Sequence, residues 1–314
     1  MRVLVTGAAG FVGSWLVRDL LADGHAVVAT SLDGRPAPHA APGAEWLPLE
    51  VTSARSVGEA MEAARPEAVF HLAGQASVGD SFADPLGTWD VNATGALRVA
   101  CALPPGARLL LVSSAEAYGV VPEAQQPLAE DRPLRPRNPY AASKAAAEMA
   151  ALQAGEGEVV IARSFNHTGP GQDARFALPS FARQLAAIRA GEAEPLLRVG
   201  NLSARRDMLD VRDVVRAYAL LMRAGEPGGV YNVCSGHARS MAQAVDELVD
   251  LSGTRARVEV DPARVRPVDV PLLLGDNARL RALGWTPSIP FRQTLSDLLE
   301  WEAGRLAAPA EATA

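Results

Sequence analysis

Tyr140 and Lys144 stand four residues apart in Tyr140-Ala141-Ala142-Ser143-Lys144. On a helix, positions i and i+4 share a face, so the phenol and the ammonium can converge. A phenol with a pKa near 10 is poorly suited to proton transfer at neutral pH. A neighbouring ammonium favours its phenolate form and makes it a usable acid or base. The chain has 30 Lys and Arg residues, and Lys144 is its only Lys. Arg is bulkier, planar and never deprotonated, so a site that needs a compact ammonium would explain the exception. Ser113-Ser114 closes a strand-like run, and a hydroxyl there can donate to a substrate carbonyl.

A second constellation lies at the start of the chain. Thr6-Gly7-Ala8-Ala9-Gly10-Phe11-Val12-Gly13 follows one strand and opens a helix. Glycines allow a tight turn and close backbone approach, and the helix N-terminus offers N–H groups to a pyrophosphate. This is the context a dinucleotide fingerprint requires. An oxidised nicotinamide beside Tyr140 would further favour its phenolate. The end of the second strand reads Ala29-Thr30-Ser31-Leu32-Asp33-Gly34-Arg35. An acid there would bind a ribose 2′-hydroxyl and an Arg a 2′-phosphate. Ser31 takes the usual acidic position, while Asp33 and Arg35 point in opposite directions. The balance leans to NADP over NAD.

These groups need a parallel sheet to hold them. Strands are expected at Arg2–Thr6, His25–Thr30, Ala44–Pro48, Ala68–Leu72, Arg108–Ser113 and Glu158–Arg163. Helices are expected at Phe11–Ala22, Ser53–Ala64, Asp84–Cys101 and Asn138–Gln153. Alternating strands and helices mean βαβ units, and continuously apolar strands mean a sheet covered on both faces. The fold class is therefore α/β, a Rossmann-type doubly wound sheet. After Arg163 the rhythm breaks into helices at Leu178–Ala190, Val211–Arg223, Ser240–Leu251 and Phe291–Trp301, with a strand at Val230–Val233 and a loop at Gly169–Phe176. The expected division is a dinucleotide-binding domain over 1–163, to which 211–233 returns. A smaller α/β lobe would cover 164–210 and 234–303, with a disordered tail at 304–314.

With 314 residues and 48% hydrophobic content, the chain can bury a large core. A net charge of -6 and 5% aromatics argue against nucleic-acid binding. Cys101 and Cys234 are expected as buried reduced thiols, and no Cys/His cluster suggests a metal. No signal peptide and no membrane-length apolar run are read, so a soluble cytoplasmic protein is expected.

The glycine-rich turn, His71-Leu72-Ala73-Gly74, Asn92, Ser114 and the Tyr140/Lys144 pair resemble the extended short-chain dehydrogenase/reductases, also described as the NAD-dependent epimerase/dehydratase family. The resemblance spans nearly the whole chain. It implies NAD(P), a C-terminal substrate lobe and sugars linked to a nucleoside diphosphate. Arg163-Ser164-Phe165-Asn166-His167-Thr168-Gly169-Pro170-Gly171-Gln172 looks like the segment of GDP-mannose 4,6-dehydratases and GDP-4-dehydro-6-deoxy-D-mannose reductases. Tyr231–Gly236, and Arg266-Pro267 through Gly275-Asp276 to Leu283-Gly284-Trp285, look more like the reductases. By resemblance, the cofactor would be held by Gly7, Gly10, Phe11, Val12, Gly13, Ser31, Arg35, Glu50, Val51, Leu72, Ala73, Gly74, Asn92, Tyr140 and Lys144. Catalysis would fall to Ser114, Glu116, Tyr140 and Lys144. Substrate contacts would come from Ser114, Asn166, Arg183, Arg206 and Arg266, because Arg offers diphosphate a planar, two-pronged donor.

The resemblance implies reduction of the C4 ketone of GDP-4-dehydro-6-deoxy-D-mannose to GDP-D-rhamnose. Glu116, two residues after Ser114, keeps a GDP-mannose 4,6-dehydratase open, because dehydration needs an additional acid/base group. A nucleotide-sugar 4-epimerase is the third enzymatic reading. A non-catalytic NADP-sensing protein on the same fold is the reading from another class. The family also implies a homodimer through a four-helix interface built on Asp84–Cys101 and Asn138–Gln153. Ala141, Ala142, Ala145, Ala146 and Ala147 would there permit close helix approach.

Overall fold

The computed structural model describes residues 1–38, 40–154, 157–264 and 270–307. In chain order the first part contains β1 (Arg2–Thr6), α1 (Phe11–Ala22), β2 (Ala26–Ser31), β3 (Glu45–Pro48), α2 (Ala54–Ala64) and β4 (Ala68–His71). It continues with α3 (Val78–Ala83), α4 (Pro85–Trp89), α5 (Gly95–Cys101), β5 (Arg108–Ser114), α6 (Pro139–Ala151) and β6 (Glu158–Ser164). Then follow β7 (Asn166–Thr168), α7 (Ala177–Arg189), β8 (Leu196–Val199), β9 (Arg205–Asp210), α8 (Val211–Ala224) and β10 (Val230–Val233). The chain closes with β11 (Ala238–Ser240), α9 (Met241–Ser252), β12 (Arg257–Val260), β13 (Leu272–Leu273), α10 (Ala278–Ala282) and α11 (Phe291–Ala307).

Two compact units result, one of residues 1–165, 214–233 and 275–286, the other of the remainder. Segment 275–286, expected in the smaller lobe, belongs to the first unit. There Gly275 bridges to Leu128, and Asn232 Nδ2 donates to the carbonyls of Leu128 and Asp276. The first unit is a seven-stranded sheet in the order β3-β2-β1-β4-β5-β6-β10, parallel at every pairing. Helices cover a sheet whose strands are apolar on both faces. Val3, Leu4 and Val5 are all fully buried, as are Leu109, Leu110 and Ile161. Each such side chain contributes about 1.5–3 kcal/mol by leaving water. This is a Rossmann-type sheet. In the second unit β9 pairs with β7 and β13 in parallel and β11 antiparallel, while β8 and β12 form a separate parallel pair. Leu185, Leu197, Leu248 and Leu295 sit at the centre of its core.

Several expectations change. The helix expected from Asp84 to Cys101 opens at Pro85 with the Asp84 carboxylate capping Gly87 N–H at 2.9 Å, and a π-turn at Asp90–Thr94 interrupts it. On α6, Ala141, Ala145 and Ala147 are buried in their own unit, Ala147 in one core with Leu109, Leu111 and Ile161; Ala142 and Ala146 remain partly exposed. The tail expected from 304 is helical through Ala307, and 308–314 lie outside the described residues. Cys234 is buried but Cys101, at the end of α5, is exposed. No helix among the described residues is long and apolar enough to cross a membrane.

Candidate active site

The glycine loop forms as its residue types require. Gly7 has φ +67°, and a Cβ there would lie 2.7 Å from Ala73 N. A Cβ on Gly13 would lie 2.3 Å from the Gly7 carbonyl oxygen. Side chains at either position would push the loop off β4 or off α1. Gly10 caps α1 with no side-chain hydrogen bond, and a helix N-terminus that follows such a glycine loop has the backbone chemistry to receive a phosphate. Phe11 and Val12 occupy that turn. Thr6 Oγ1 accepts from Ala73 N–H at 3.1 Å and lies 2.8 Å from His71 Nδ1, which locks Leu72, Ala73 and Gly74 beside the loop. Burial, with the Lys144 charge second, lowers His71 to about 3 and keeps it neutral.

The cradle continues toward the reacting groups. A Cβ on Gly74 would meet Asn92 Oδ1 at 2.9 Å and Lys144 Nζ at 3.4 Å. Asn92 sits in the π-turn, a distortion common at functional sites. Its Oδ1 accepts from Gln75 N–H at 2.8 Å and its Nδ2 donates to Gln75 O and Ser143 Oγ, both at 3.0 Å. At Gly7, Gly13 and Gly74 the protein's own atoms fill the space a Cβ would take, so only glycine lets the loop pack against β4, α1 and the Asn92–Lys144 pair. At the β2 end, the Ser31 hydroxyl donates to Asp33 and to the Arg35 carbonyl, and Arg35 N–H donates to Asp33 at 3.0 Å. The backbone N–H of Arg35, ahead of the Ser31 hydroxyl, holds the Asp33 carboxyl below its usual range. The Arg35 guanidinium remains 84% exposed. Glu50 is spent locally, its Oε1 accepting from Thr52 N–H and Oγ1–H, and Val51 is packed with Leu49 and Ala60.

α6 presents the chemistry. Asn138 accepts from Ala141 N–H at 2.7 Å as its N-cap, Pro139 stands at the first turn, and alanines propagate the helix. Tyr140 and Lys144 follow on one face. The Tyr140 phenol is pushed up to about 12, chiefly by burial, while a hydrogen bond with Ser114 opposes this and the Glu116 charge adds to it. Lys144 is drawn down to about 8 by burial, against the pull of Glu148. Its Nζ donates to Val112 O at 3.0 Å. The Glu116 carboxylate accepts from Asn138 Nδ2 at 3.3 Å. Ser114, Glu116, Tyr140 and Lys144 thus gather at the carboxyl end of β5, as ligand crevices of open α/β sheets require. The arrangement is a hydrogen-bonded phenol with an ammonium behind it and a carboxylate at its side.

Behind these groups lies a buried network that no spacing in the sequence announces. Arg163 grips Glu148 through Nη2 at 2.7 Å and Nε at 3.0 Å, and both residues are buried. The Ser113 hydroxyl also donates to Glu148. Arg163 Nη1 donates to Tyr118 Oη at 3.0 Å and Glu130 O at 2.9 Å.

The second unit holds a cavity of about 510 Å³. Asn166 and Arg206 line it, together with Arg175 and Arg264. Arg206 Nη1 donates to Arg205 O at 2.9 Å, and Arg264 Nη1 to Ser180 Oγ at 3.2 Å. Arg183 is not among the lining residues. It lies on the exposed side of α7, beyond the buried Phe181 and Ala182, where its charge acts on Glu302 of α11. Arg264 was not foreseen; Arg266, the expected contact two residues on, lies outside the described residues.

The family model for GDP-mannose 4,6-dehydratase matches residues 4–298. The chain is 39% identical over 310 residues to the GDP-6-deoxy-D-mannose reductase of Pseudomonas aeruginosa, covering 96% of this chain and 97% of that one. It is 34% identical to the UDP-glucose 4-epimerase of Mycolicibacterium smegmatis, covering 96% and 98%. Its fold matches the structure of RMD from Pseudomonas aeruginosa complexed with NADPH with a TM-score of 0.85, at 35% identity, over 97% and 100% of the two chains.

Proposed function

This chain belongs to the GDP-mannose 4,6-dehydratase family of extended short-chain dehydrogenase/reductases, and on that footing we propose that it reduces the C4 ketone of GDP-4-dehydro-6-deoxy-D-mannose to GDP-D-rhamnose. Its coarser activity is that of an NAD(P)-dependent nucleotide-sugar oxidoreductase. The observation that carries the finer reading is the Ser114–Tyr140 hydrogen bond, with Lys144 one turn further along α6 beside the glycine cradle. A phenol is protonated at neutral pH even without burial; burial pushes Tyr140 up further, opposite to the lowering expected from Lys144, whose charge is not among the causes of its shift. A protonated phenol suits a reduction, in which the carbonyl oxygen must gain a proton.

Gly7, Gly10, Phe11, Val12, Gly13, Leu72, Ala73, Gly74 and Asn92 would hold the dinucleotide, with Lys144 at its ribose. When bound in reduced form, it supplies the hydride for sugar C4. The Ser114 hydroxyl would polarise the C4 carbonyl, and Tyr140 Oη would give its proton to the same oxygen. The Lys144 ammonium would stabilise charge on Tyr140 as that proton leaves. Asn166, Arg206 and Arg264 would bind the nucleotide part of the substrate, their arginine forks gripping diphosphate. NADPH is the preferred cofactor in this reading, because Asp33 is engaged by Arg35 N–H and by the Arg35 guanidinium at 3.9 Å, and that guanidinium, 84% exposed, keeps further donors for a phosphate.

With NADPH and the 4-ketosugar, absorbance of NADPH is expected to fall in proportion to GDP-D-rhamnose formed. If GDP-mannose alone is converted to the ketosugar, Glu116 serves a dehydratase instead. NADPH binding without turnover of any sugar nucleotide would leave only the sensor reading.

The dimer remains part of this reading on a revised surface. Phe82 of α3, Leu86 and Trp89 of α4 and Met149 of α6 are 62%, 83%, 47% and 60% exposed. Fully burying such side chains is worth roughly 1.5–3 kcal/mol each. Light scattering at micromolar protein should give twice the chain mass, and a Leu86→Glu/Met149→Glu variant should halve it. A monomer mass for the parent protein would remove the interface.

A further inference from the structure

Tyr140, Lys144 and Glu148 recur every four residues on α6, so one face of a single helix carries a phenol, an ammonium and a carboxylate in that order. Two consecutive residues of β5 meet the last two. Val112 O accepts from Lys144 Nζ at 3.0 Å, and the Ser113 hydroxyl donates to Glu148. Lys144 is 8% exposed and Glu148 is 3% exposed. A buried carboxylate needs partners to stay charged. Glu148 has them in Ser113 and in the two-pronged grip of Arg163 from β6. Arg163 is itself fixed by Tyr118 and the Glu130 carbonyl, and Tyr118 Oη donates to Asn232 Oδ1 at 2.7 Å.

We propose that Glu148 is a positioning residue for the reduction, supplying the fixed negative charge that keeps Lys144 an ammonium, and that Arg163 and Ser113 hold it in that role. The need is set by burial. Taking Lys144 out of water disfavours its charged form, and Glu148 is the charge that counters this. The other charged groups on elements packed against α6 act elsewhere. Glu116, on the turn after β5, acts on Tyr140; His71, at the end of β4, is kept neutral; Asp90, in the π-turn, is paired with Arg98 of α5 at 3.0 Å. Asp80 of α3 is exposed, its backbone N–H donating to the Ser77 hydroxyl, and neither it nor the Arg163 cation is among the causes of the Lys144 shift.

The single lysine makes the test direct. Protein grown on lysine isotope-labelled at Cε gives one lysine resonance, which needs no assignment and reports the Lys144 titration alone. In Glu148→Gln, Lys144 should titrate about one unit lower than in the parent, the size of shift expected from losing an adjacent opposite charge. Glu148→Asp should recover most of it. The alkaline fall of kcat in NADPH-driven ketosugar reduction should move to lower pH by a similar amount. That arm alone rests on the reductase reading; the resonance reports Lys144 whatever the substrate proves to be. Glu148→Gln leaves Arg163 buried without its partner, and such a loss can prevent folding. If it does, Glu148→Gln/Arg163→Met removes both charges, a replacement that buried ion pairs often tolerate, and the lower titration should persist. An unchanged Lys144 titration in a folded variant lacking Glu148 would overturn the proposal.

Discussion

Tyr140→Phe should lower ketosugar reduction by about 10²–10⁴-fold, the usual worth of a positioned general acid, while fold and NADPH binding survive. The ring stays where α6 places it, and among the described residues the hydrogen bond forfeited is the one with Ser114. Lys144→Arg is the sharper companion. It keeps the charge, but a guanidinium is longer and planar, and the position is closed in by Val112 O and by the Gly74 backbone, whose Cβ position lies 3.4 Å from Nζ. A merely solvated charge would tolerate that exchange in a chain that uses Arg everywhere else. Here it should weaken NADPH binding and cut turnover. Because the two residues act as one unit, the double variant should be little worse than Tyr140→Phe alone. Stopped-flow NADPH oxidation and NADPH fluorescence titration separate the two effects. Near-normal turnover in Lys144→Arg would remove Lys144 from the proposed chemistry.

Gly13→Ala is expected to be the most damaging small substitution in the cofactor cradle. The added methyl would stand 2.3 Å from the Gly7 carbonyl oxygen and 2.7 Å from Ala8 Cα, both backbone atoms of the loop. Neither can rotate away, so α1 and the loop must separate and the first-turn N–H groups lose their common aim. Overpacking of this kind costs about 1–3 kcal/mol, and 1.4 kcal/mol is tenfold in an affinity. NADPH affinity should therefore fall by about ten- to a hundredfold, with a lowered Tm. Gly58→Ala on α2 is the control, since nothing lies within 4 Å of its Cβ position. That change should be neutral or mildly stabilising, by at most about 1 kcal/mol. Parent-like NADPH binding by Gly13→Ala would refute the cradle.

Features set by neighbours in the chain were legible in advance. The glycine turn, the Tyr140/Lys144 spacing and the largely apolar strands β1, β2, β4, β5 and β6 declare themselves because a turn needs glycine, a helix face repeats at four and a covered strand is apolar. The ends of α6 and α9 were readable to within a residue or two, since Asn138 and Ser240 cap them. Other features depend on partners that sequence does not announce. The strands β7, β8, β11 and β13 are too short to show a period, and exist because β9 and β12 pair with them. The π-turn at Asn92 is one residue of extra helix, invisible to an apolar pattern. Arg183 and Arg264 look alike in an arginine-rich chain, and only the packing of α7 turns one outward while the turn at Pro262–Arg264 brings the other to the cavity.

Glu148 is the sharpest case. In sequence it is one acid in an alanine-rich helix, indistinguishable from a solvated surface charge. The tertiary structure buries it because Arg163, fifteen residues away, and Ser113, thirty-five away, supply hydrogen bonds that replace water. Helix periodicity and glycine spacing alone set which groups share the α6 face and that a glycine-rich loop precedes α1. The sheet decided which of those groups leave water and what charge each then keeps, because burial penalises an ion until a specific partner offsets the loss of solvent, and such partners are brought together only by strand order.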